Sequence, residues 1–198
     1  MNKQQRKSRN TIVLLFAMSV IPFLIAWYLS VNKISMGGGT NKGELIIPPV
    51  MTNFNEFVGF DRFSQNNMTE LKGHWVLVNI IPGGGCDNVC FTAIHASKQL
   101  RLMMNKDLVR IRRLVLLLNP VDEAEAARWW QNDNRLLRSK PQSSLIDKIS
   151  RIRDGRIPDG LLLIMDPLGN LMMQYEPGFD PYDVKKDLEK LLRISQIG

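Results

Sequence analysis

Residues 11–31 contain no charged side chain and are mostly apolar, and this stretch constrains the chain more than any other feature. In an α-helix these 21 residues, at about 1.5 Å rise each, cross a hydrocarbon core of roughly 30 Å. A cleaved signal peptide would have a shorter apolar core and a small-residue cleavage site, which the segment "WYLSVNKIS" does not provide. We therefore predict an uncleaved transmembrane anchor.

The distribution of basic residues predicts the orientation of this anchor. Four basic residues lie among the first nine, whereas only Lys33 and Lys42 follow closely after the apolar stretch. By the positive-inside rule, the N-terminus is cytoplasmic and the remainder of the chain lies outside the cytoplasm. We expect a bacterial inner-membrane protein with a basic leader at 1–10, the anchor at 11–31, a flexible glycine-containing linker at 32–43 and a periplasmic domain at 44–198.

The formal net charge of +7 belongs mostly to the leader. Without the leader, 22 basic residues face 19 acidic ones, so we expect no nucleic-acid partner. A local basic cluster remains at Arg110, Arg112 and Arg113. A solvated loop and strand start is the preferred interpretation of this cluster, and a docking patch is the alternative.

The exported part alternates strand and helix patterns. The run "HWVLVNII" at 74–81 predicts a strand buried on both faces. Further apolar patterns predict a helix at 91–105, a strand at 112–120 and a helix at 121–131. A less regular stretch follows with a short helix at 144–152, and then a hairpin at 160–176 and a helix at 180–195. This order predicts an α/β domain with a thioredoxin-like fold, in which helices flank a central mixed sheet.

Both cysteines of the chain, Cys86 and Cys90, lie in "GGGCDNVC" between the first strand and its helix. A thiol near a helix N-terminus has a lowered pKa and is more reactive at neutral pH. Residues at this spacing can form a reversible disulfide, and the same two thiolates are candidate ligands for Cu(I). A permanent structural disulfide is the third interpretation, although so short a loop gains little chain entropy. The glycines resemble a phosphate-binding loop, but the Lys and Ser/Thr that such a loop requires are absent.

The region from residue 71 to the C-terminus resembles the Sco/SenC family of membrane-anchored, thioredoxin-fold proteins that help to mature the copper centre of cytochrome c oxidase. The resemblance rests on "LKGHWVLVNI", the pair Cys86 and Cys90, and "LLIMDPLGNLMMQYEPGFDP". It implies copper bound by the two cysteines and by a histidine about eight residues before Asp166. Pro158 stands there instead, so the chain resembles a divergent member that lacks the copper-ligand histidine.

Other residues are poor substitutes for that ligand. His74 begins the strand at the end opposite the cysteines, and His95 lies about 140° around the helix from Cys90. The methionines are expected to fill the core; they are Met103, Met104, Met172 and Met173. Pro158 resembles the cis-proline that thioredoxin-like proteins place beside their cysteines, which makes it a predicted site residue.

These observations lead to a hypothesis of function. The protein is expected to assist oxidase biogenesis by thiol-disulfide exchange at Cys86 and Cys90, with a respiratory oxidase subunit or another exported thiol protein as its partner. Two alternatives remain: a copper(I) carrier that uses both cysteines, and a non-catalytic assembly scaffold.

Overall fold

The structure, a computed structural model, describes residues 3–31, 41–130 and 133–195. It contains two compact units, residues 1–40 and 41–198. In the first unit, helix α1 (Lys3–Val31) includes one segment, Arg9–Leu29, that is long and apolar enough to cross a membrane. Its side chains are almost all exposed, as a lipid-facing surface requires. Most of the predicted linker, residues 32–40, lies outside the described residues.

The second unit is built on one mixed seven-stranded sheet in the order β1-β7-β6-β3-β4-β5-β2. Strands β3, β4 and β5 run parallel, and the other pairings are antiparallel. The strands are β1 (Glu44–Met51), β2 (Phe57–Gly59), β3 (Trp75–Ile81), β4 (Ile111–Leu117), β5 (Leu136–Pro141), β6 (Leu162–Met165) and β7 (Asn170–Tyr175).

Helices cover both faces of the sheet because side chains alternate along its central strands. On β3, Trp75 and Leu77 pack against the helices α3 (Asn88–Met103) and α6 (Pro181–Ile194). Val76 and Val78 pack on the opposite side against α5 (Ser143–Ile152). Every residue of β3 is buried, as its continuous apolar run predicted. The helices of this unit are α2 (Arg62–Asn67), α3 (Asn88–Met103), α4 (Glu123–Trp129), α5 (Ser143–Ile152) and α6 (Pro181–Ile194).

The thioredoxin-like fold and the predicted order of its elements are confirmed, but the sheet is larger than the sequence indicated. β5 lies in the stretch that was expected to be irregular, and β1 contains two adjacent prolines. β1 tolerates them because it is an edge strand whose pairing with β7 shifts between Leu45 and Val50, so neither proline has to donate to the ladder.

Candidate redox site

The candidate site lies where β3 ends and α3 begins. Asp87 is the N-cap of α3, and its Oδ1 accepts a hydrogen bond from the backbone N–H of Cys90 at 2.9 Å. The loop between β3 and α3 is anchored to the segment that follows β4, because the side-chain amide of Asn119 donates to the carbonyl of Pro82. The cysteines therefore stand at the carboxyl edge of the parallel strands, where α/β sheets place their sites.

Cys86 and Cys90 form a disulfide, with their Cα atoms 5.3 Å apart. Cys86 is half-buried, whereas Cys90 is only 1% exposed and faces the core from the first turn of α3. A Cβ added to Gly84 or Gly85 would meet no atom within 4 Å, so the loop beside Cys86 borders open space. Cys86 is therefore the more accessible of the two cysteines.

An aromatic cluster supports the disulfide. Cys90 and Cys86 pack into a core cluster that includes Phe60, Trp129 and Trp130. The ring centroids of Trp129 and Trp130 are 5.6 Å apart, and those of Phe60 and Trp130 are 6.2 Å apart, both edge to face. Sequence reasoning did not place these rings at the site. The sequence did indicate their proximity. β4 runs parallel to β3, so the helix after β4, which carries Trp129, begins at the same sheet edge as the cysteine loop.

The loop that leads into β6 lies beside the first turns of α3. A Cβ on Gly160 would come within 3.0 Å of Val89 Cγ1 and 3.5 Å of Ala93 Cβ, so this glycine allows the two segments to touch. Pro158 is half-buried in the same loop, but the Ile157–Pro158 bond is trans. The sequence left the isomer of this bond open, and the structure has it in the trans form, unlike the cis-proline that Pro158 resembles. The trans isomer is favoured for an X–Pro bond unless the surrounding fold imposes cis. A role for Pro158 at the site remains a prediction.

Asp159 brings a second carboxylate to this end of α3. Its Oδ1 is buried and has no hydrogen-bond partner among the described residues. Burial raises the pKa of the Asp159 carboxyl group, and the nearby Asp87 carboxylate raises it further. The charged form of Asp159 is therefore destabilised beside the disulfide.

We expect Asp159→Asn to stabilise the fold at neutral pH. Because the folded pKa of Asp159 lies above its unfolded value of 3.8, the folded state binds more protons in between, and stability falls as the pH rises through that window. Removing the charge should raise the melting temperature at pH 7 and leave it unchanged near pH 3. Thermal unfolding of the full chain in detergent at both pH values measures this. The exposed Asp147→Asn variant on α5 is the control, and a gain that persists at pH 3 would contradict the argument.

Neither histidine joins the cysteines. His74 is half-buried at the opposite end of β3, and its Nδ1 bonds to the Lys72 carbonyl at 3.1 Å. His95 is on the exposed face of α3, with its Nε2 3.4 Å from the side-chain nitrogen of Gln99. All four candidate methionines pack in or against the core cluster between the sheet and α6. In the described parts of the chain, no group of three or more His, Cys, Asp or Glu side chains could hold a metal ion. The residues present do not fit a copper site with a third ligand, and we derive no step through copper.

The basic cluster at the start of β4 is paired internally. Arg113 has a side chain only 3% exposed and forms a 2.6 Å ion pair with Asp133. Arg112 pairs with Glu70 at 2.6 Å, and Arg110 pairs with Asp107 at 3.3 Å. The expectation of a solvated strand start was wrong for Arg113, because its side chain points under α3 rather than into solvent. The three residues do not form a shared docking patch.

A mixed sheet covered on both faces, with a disulfide between its central strand and the following helix, defines a thioredoxin-like protein. The family described as transmembrane-like, thioredoxin-like, C-terminal domain matches residues 75–195, and the chain belongs to this family. Curated protein sequences offer no match.

Solved structures of Sco proteins have a similar fold. The apo Sco1 protein from Thermus thermophilus is 17% identical, with a TM-score of 0.57, over 78% of this chain and 99% of that one. A SCO1/SenC family lipoprotein from Bacillus anthracis is also 17% identical, with a TM-score of 0.50, over 73% of this chain and 98% of that one. At this identity the likeness is one of fold, and it agrees with the Sco/SenC resemblance of the sequence motifs.

Proposed function

We propose that this protein is a membrane-anchored, Sco-like thiol-disulfide oxidoreductase that assists cytochrome c oxidase biogenesis. One observation carries the proposal: the disulfide joins a half-buried, more accessible Cys86 to a fully buried Cys90 at the N-terminus of α3. A structural disulfide has no need of one accessible sulfur, whereas an exchange reaction needs an attacking thiol that a partner can reach and a resolving thiol that it cannot.

The exchange follows from this asymmetry. In the reduced protein, the Cys86 thiolate attacks a disulfide of the partner, a mixed disulfide forms, and one partner sulfur leaves as a thiolate. Cys90 then loses its proton and attacks the Cys86 sulfur, which releases the second partner thiolate and closes the Cys86–Cys90 bond. Two electrons pass to the partner, and an exported dithiol reductant has to supply them again. The helix N-terminus stabilises the thiolate of each cysteine as it forms.

The anchor and the charge distribution support the proposed location. The apolar segment of α1 would hold the chain in a bacterial inner membrane, with residues 1–10 in the cytoplasm and the domain from residue 44 onward in the periplasm. The periplasm is an oxidising compartment in which a dithiol can cycle. The Sco-like motifs favour a respiratory oxidase subunit as the partner, with another exported thiol protein as the alternative.

A redox titration tests the chemistry. The full chain in detergent, equilibrated with mixtures of reduced and oxidised dithiothreitol, is expected to pass reversibly between dithiol and disulfide, with a tenfold change in ratio per about 30 mV. Maleimide gel shifts count the free thiols. Tryptophan fluorescence gives a second readout because the disulfide packs in the cluster of Trp129 and Trp130. A disulfide that is not reduced reversibly would contradict an exchange function.

Two further measurements separate the alternatives. Stoichiometric Cu(I) uptake by the reduced chain under anaerobic conditions would favour a carrier. In cells, the double variant Cys86→Ser/Cys90→Ser is expected to lose oxidase activity while the protein still accumulates. Normal oxidase activity in these cells would favour a scaffold instead.

A further inference from the structure

A basic cleft of about 590 Å³ lies between the short helix Asn105–Arg110 and helix α6. Five cationic side chains and only two carboxylates line it. The cations are Lys106, Arg110, Lys186, Lys190 and Arg193. Arg110 connects the two walls, because its Nη1 donates to the Leu192 carbonyl at 3.2 Å. The cleft is therefore a fixed part of the fold with an excess of positive charge.

Two exposed apolar side chains are next to these cations in the sequence. Val109, between Lys106 and Arg110 in the sequence, is 67% exposed, and Ile194, next to Arg193, is 77% exposed. Cations interspersed with exposed aliphatic side chains are typical of surfaces that rest on a bilayer interface. We call the surface formed by the five cations the basic face, and Val109 and Ile194 adjoin its residues in the sequence.

The basic face lies at the edge of the sheet opposite the disulfide. The Asn105–Arg110 helix leads directly into the amino end of β4 at Ile111, whereas the cysteines follow the carboxyl end of the parallel strand β3. Each strand has seven residues, which places the two edges about 20 Å apart. A surface bound to the basic face would leave the disulfide on the far side of the domain.

The amino end of the domain is fixed on the same helix. The backbone N–H groups of Lys42 and Gly43 donate to Asp187 Oδ2 at 2.6 and 2.9 Å, and Asp187 stands on α6 between Lys186 and Lys190. Only nine residues separate Val31, the end of α1, from Asn41, and an extended chain of this length spans at most about 35 Å. If α1 is held in a membrane, the start of the domain therefore lies within about 35 Å of the end of the membrane span, so α6 can reach the lipid headgroups.

Two of the cations form ion pairs with carboxylates of α6. Lys186 pairs with Asp183 at 2.9 Å, and Lys190 pairs with Asp187 at 3.3 Å. The Lys186–Asp183 pair is exposed to solvent and therefore weak, so it does not prevent Lys186 from binding phosphate. The Asp187 side chain is only 1% exposed, so the charge of Lys190 is partly neutralised by a buried carboxylate. Arg110 pairs with Asp107, which is one of the two lining carboxylates. Lys106 and Arg193 still leave the lining of the cleft with an excess of positive charge.

We propose that the basic face binds the anionic phospholipid headgroups of the membrane in which the chain's own apolar helix is anchored. The inference rests on the membrane anchoring proposed above and extends it to the orientation of the domain. Lipid is the favoured occupant because the tether is short enough for the face to reach headgroups, the charge is complementary, and the neighbouring aliphatic side chains suit an interface. Bound in this way, the domain presents Cys86 away from the bilayer.

Lysine footprinting of the full chain in nanodiscs tests the proposal. Discs of phosphatidylcholine alone are compared with discs that contain an equal share of phosphatidylglycerol. Acetylation of Lys106 and Lys186, measured by mass spectrometry, is expected to fall by about threefold or more in the anionic discs and to recover in high salt. The exposed Lys140 on β5 is the internal control and should label equally in both.

Charge reversal provides the matched variants. Lys106→Glu combined with Arg193→Glu should abolish the protection of Lys186, whereas Lys140→Glu should leave it intact. Equal labelling in both lipids would overturn the proposal and leave the anchor standing. Protection that spreads to Lys140, or that requires two chains in a disc, would also overturn it. A chain that fails to enter discs would refute the anchor and the docking together, while the redox titration in detergent would still stand.

Discussion

In a Cys90→Ser chain, the thiol of Cys86 is expected to react with a maleimide on the order of 100-fold faster than the thiol of Cys90 does in a Cys86→Ser chain. Cys86 is half-buried beside open space, whereas Cys90 is 1% exposed and reacts only when the start of α3 opens. Stopped-flow labelling at pH 7 measures both rates.

The same two variants supply the control for this difference. In denaturant the rates should become similar, because burial then no longer separates the thiols. The Cys90→Ser chain should also accumulate a mixed disulfide with an oxidised peptide, whereas the Cys86→Ser chain should not. Equal rates in the folded state would contradict the assignment of Cys86 as the attacking thiol and Cys90 as the resolving one.

The position of the cysteine pair could be predicted because it depends on local patterns. A continuous apolar run ended by Pro82 predicted β3, and the parallel arrangement placed the following loop at the site edge. The proximity of Asp159 to α3 could not be predicted in the same way, because it depends on how the loop before β6 packs on Val89. The aromatic support of the disulfide is a similar case, since Phe60 joins the cluster from a segment far away in the sequence.

Arginines were the least predictable residues, because their environment is set by tertiary contacts. Two arginines adjacent in the sequence differ in their exposure to solvent. Arg112 pairs at the surface with Glu70, whereas Arg113 is buried under α3. Alternation along β4 indicates that the two side chains point to opposite faces of the sheet. The carboxylate that compensates the buried charge of Arg113 belongs to Asp133, in the loop before β5, and the pattern of β4 does not indicate it.

Asp133→Asn is expected to destabilise the domain by about 3–5 kcal/mol, which corresponds to roughly 10 °C in melting temperature. Asp133 supplies the countercharge for a guanidinium that also donates to the Ile94 carbonyl at 2.8 Å and to Ser97 Oγ at 3.2 Å. Burial lowers the pKa of Arg113, and the Asp133 carboxylate opposes this effect. Without the carboxylate, a charge would remain buried and uncompensated. Thermal unfolding of the full chain in detergent measures the loss.

Three comparisons show whether the buried charge is the cause. Glu70→Gln removes the partner of the more exposed Arg112 and should change stability by less than about 0.5 kcal/mol. Adding Arg113→Met to Asp133→Asn should recover much of the loss, because no unpaired charge is then left. Since Arg113 holds two residues of α3, Asp133→Asn should also speed the labelling of Cys90 in a Cys86→Ser chain. A melting temperature within 3 °C of the parent, with unchanged Cys90 labelling, would mean that this ion pair does not hold the helix that carries the redox pair.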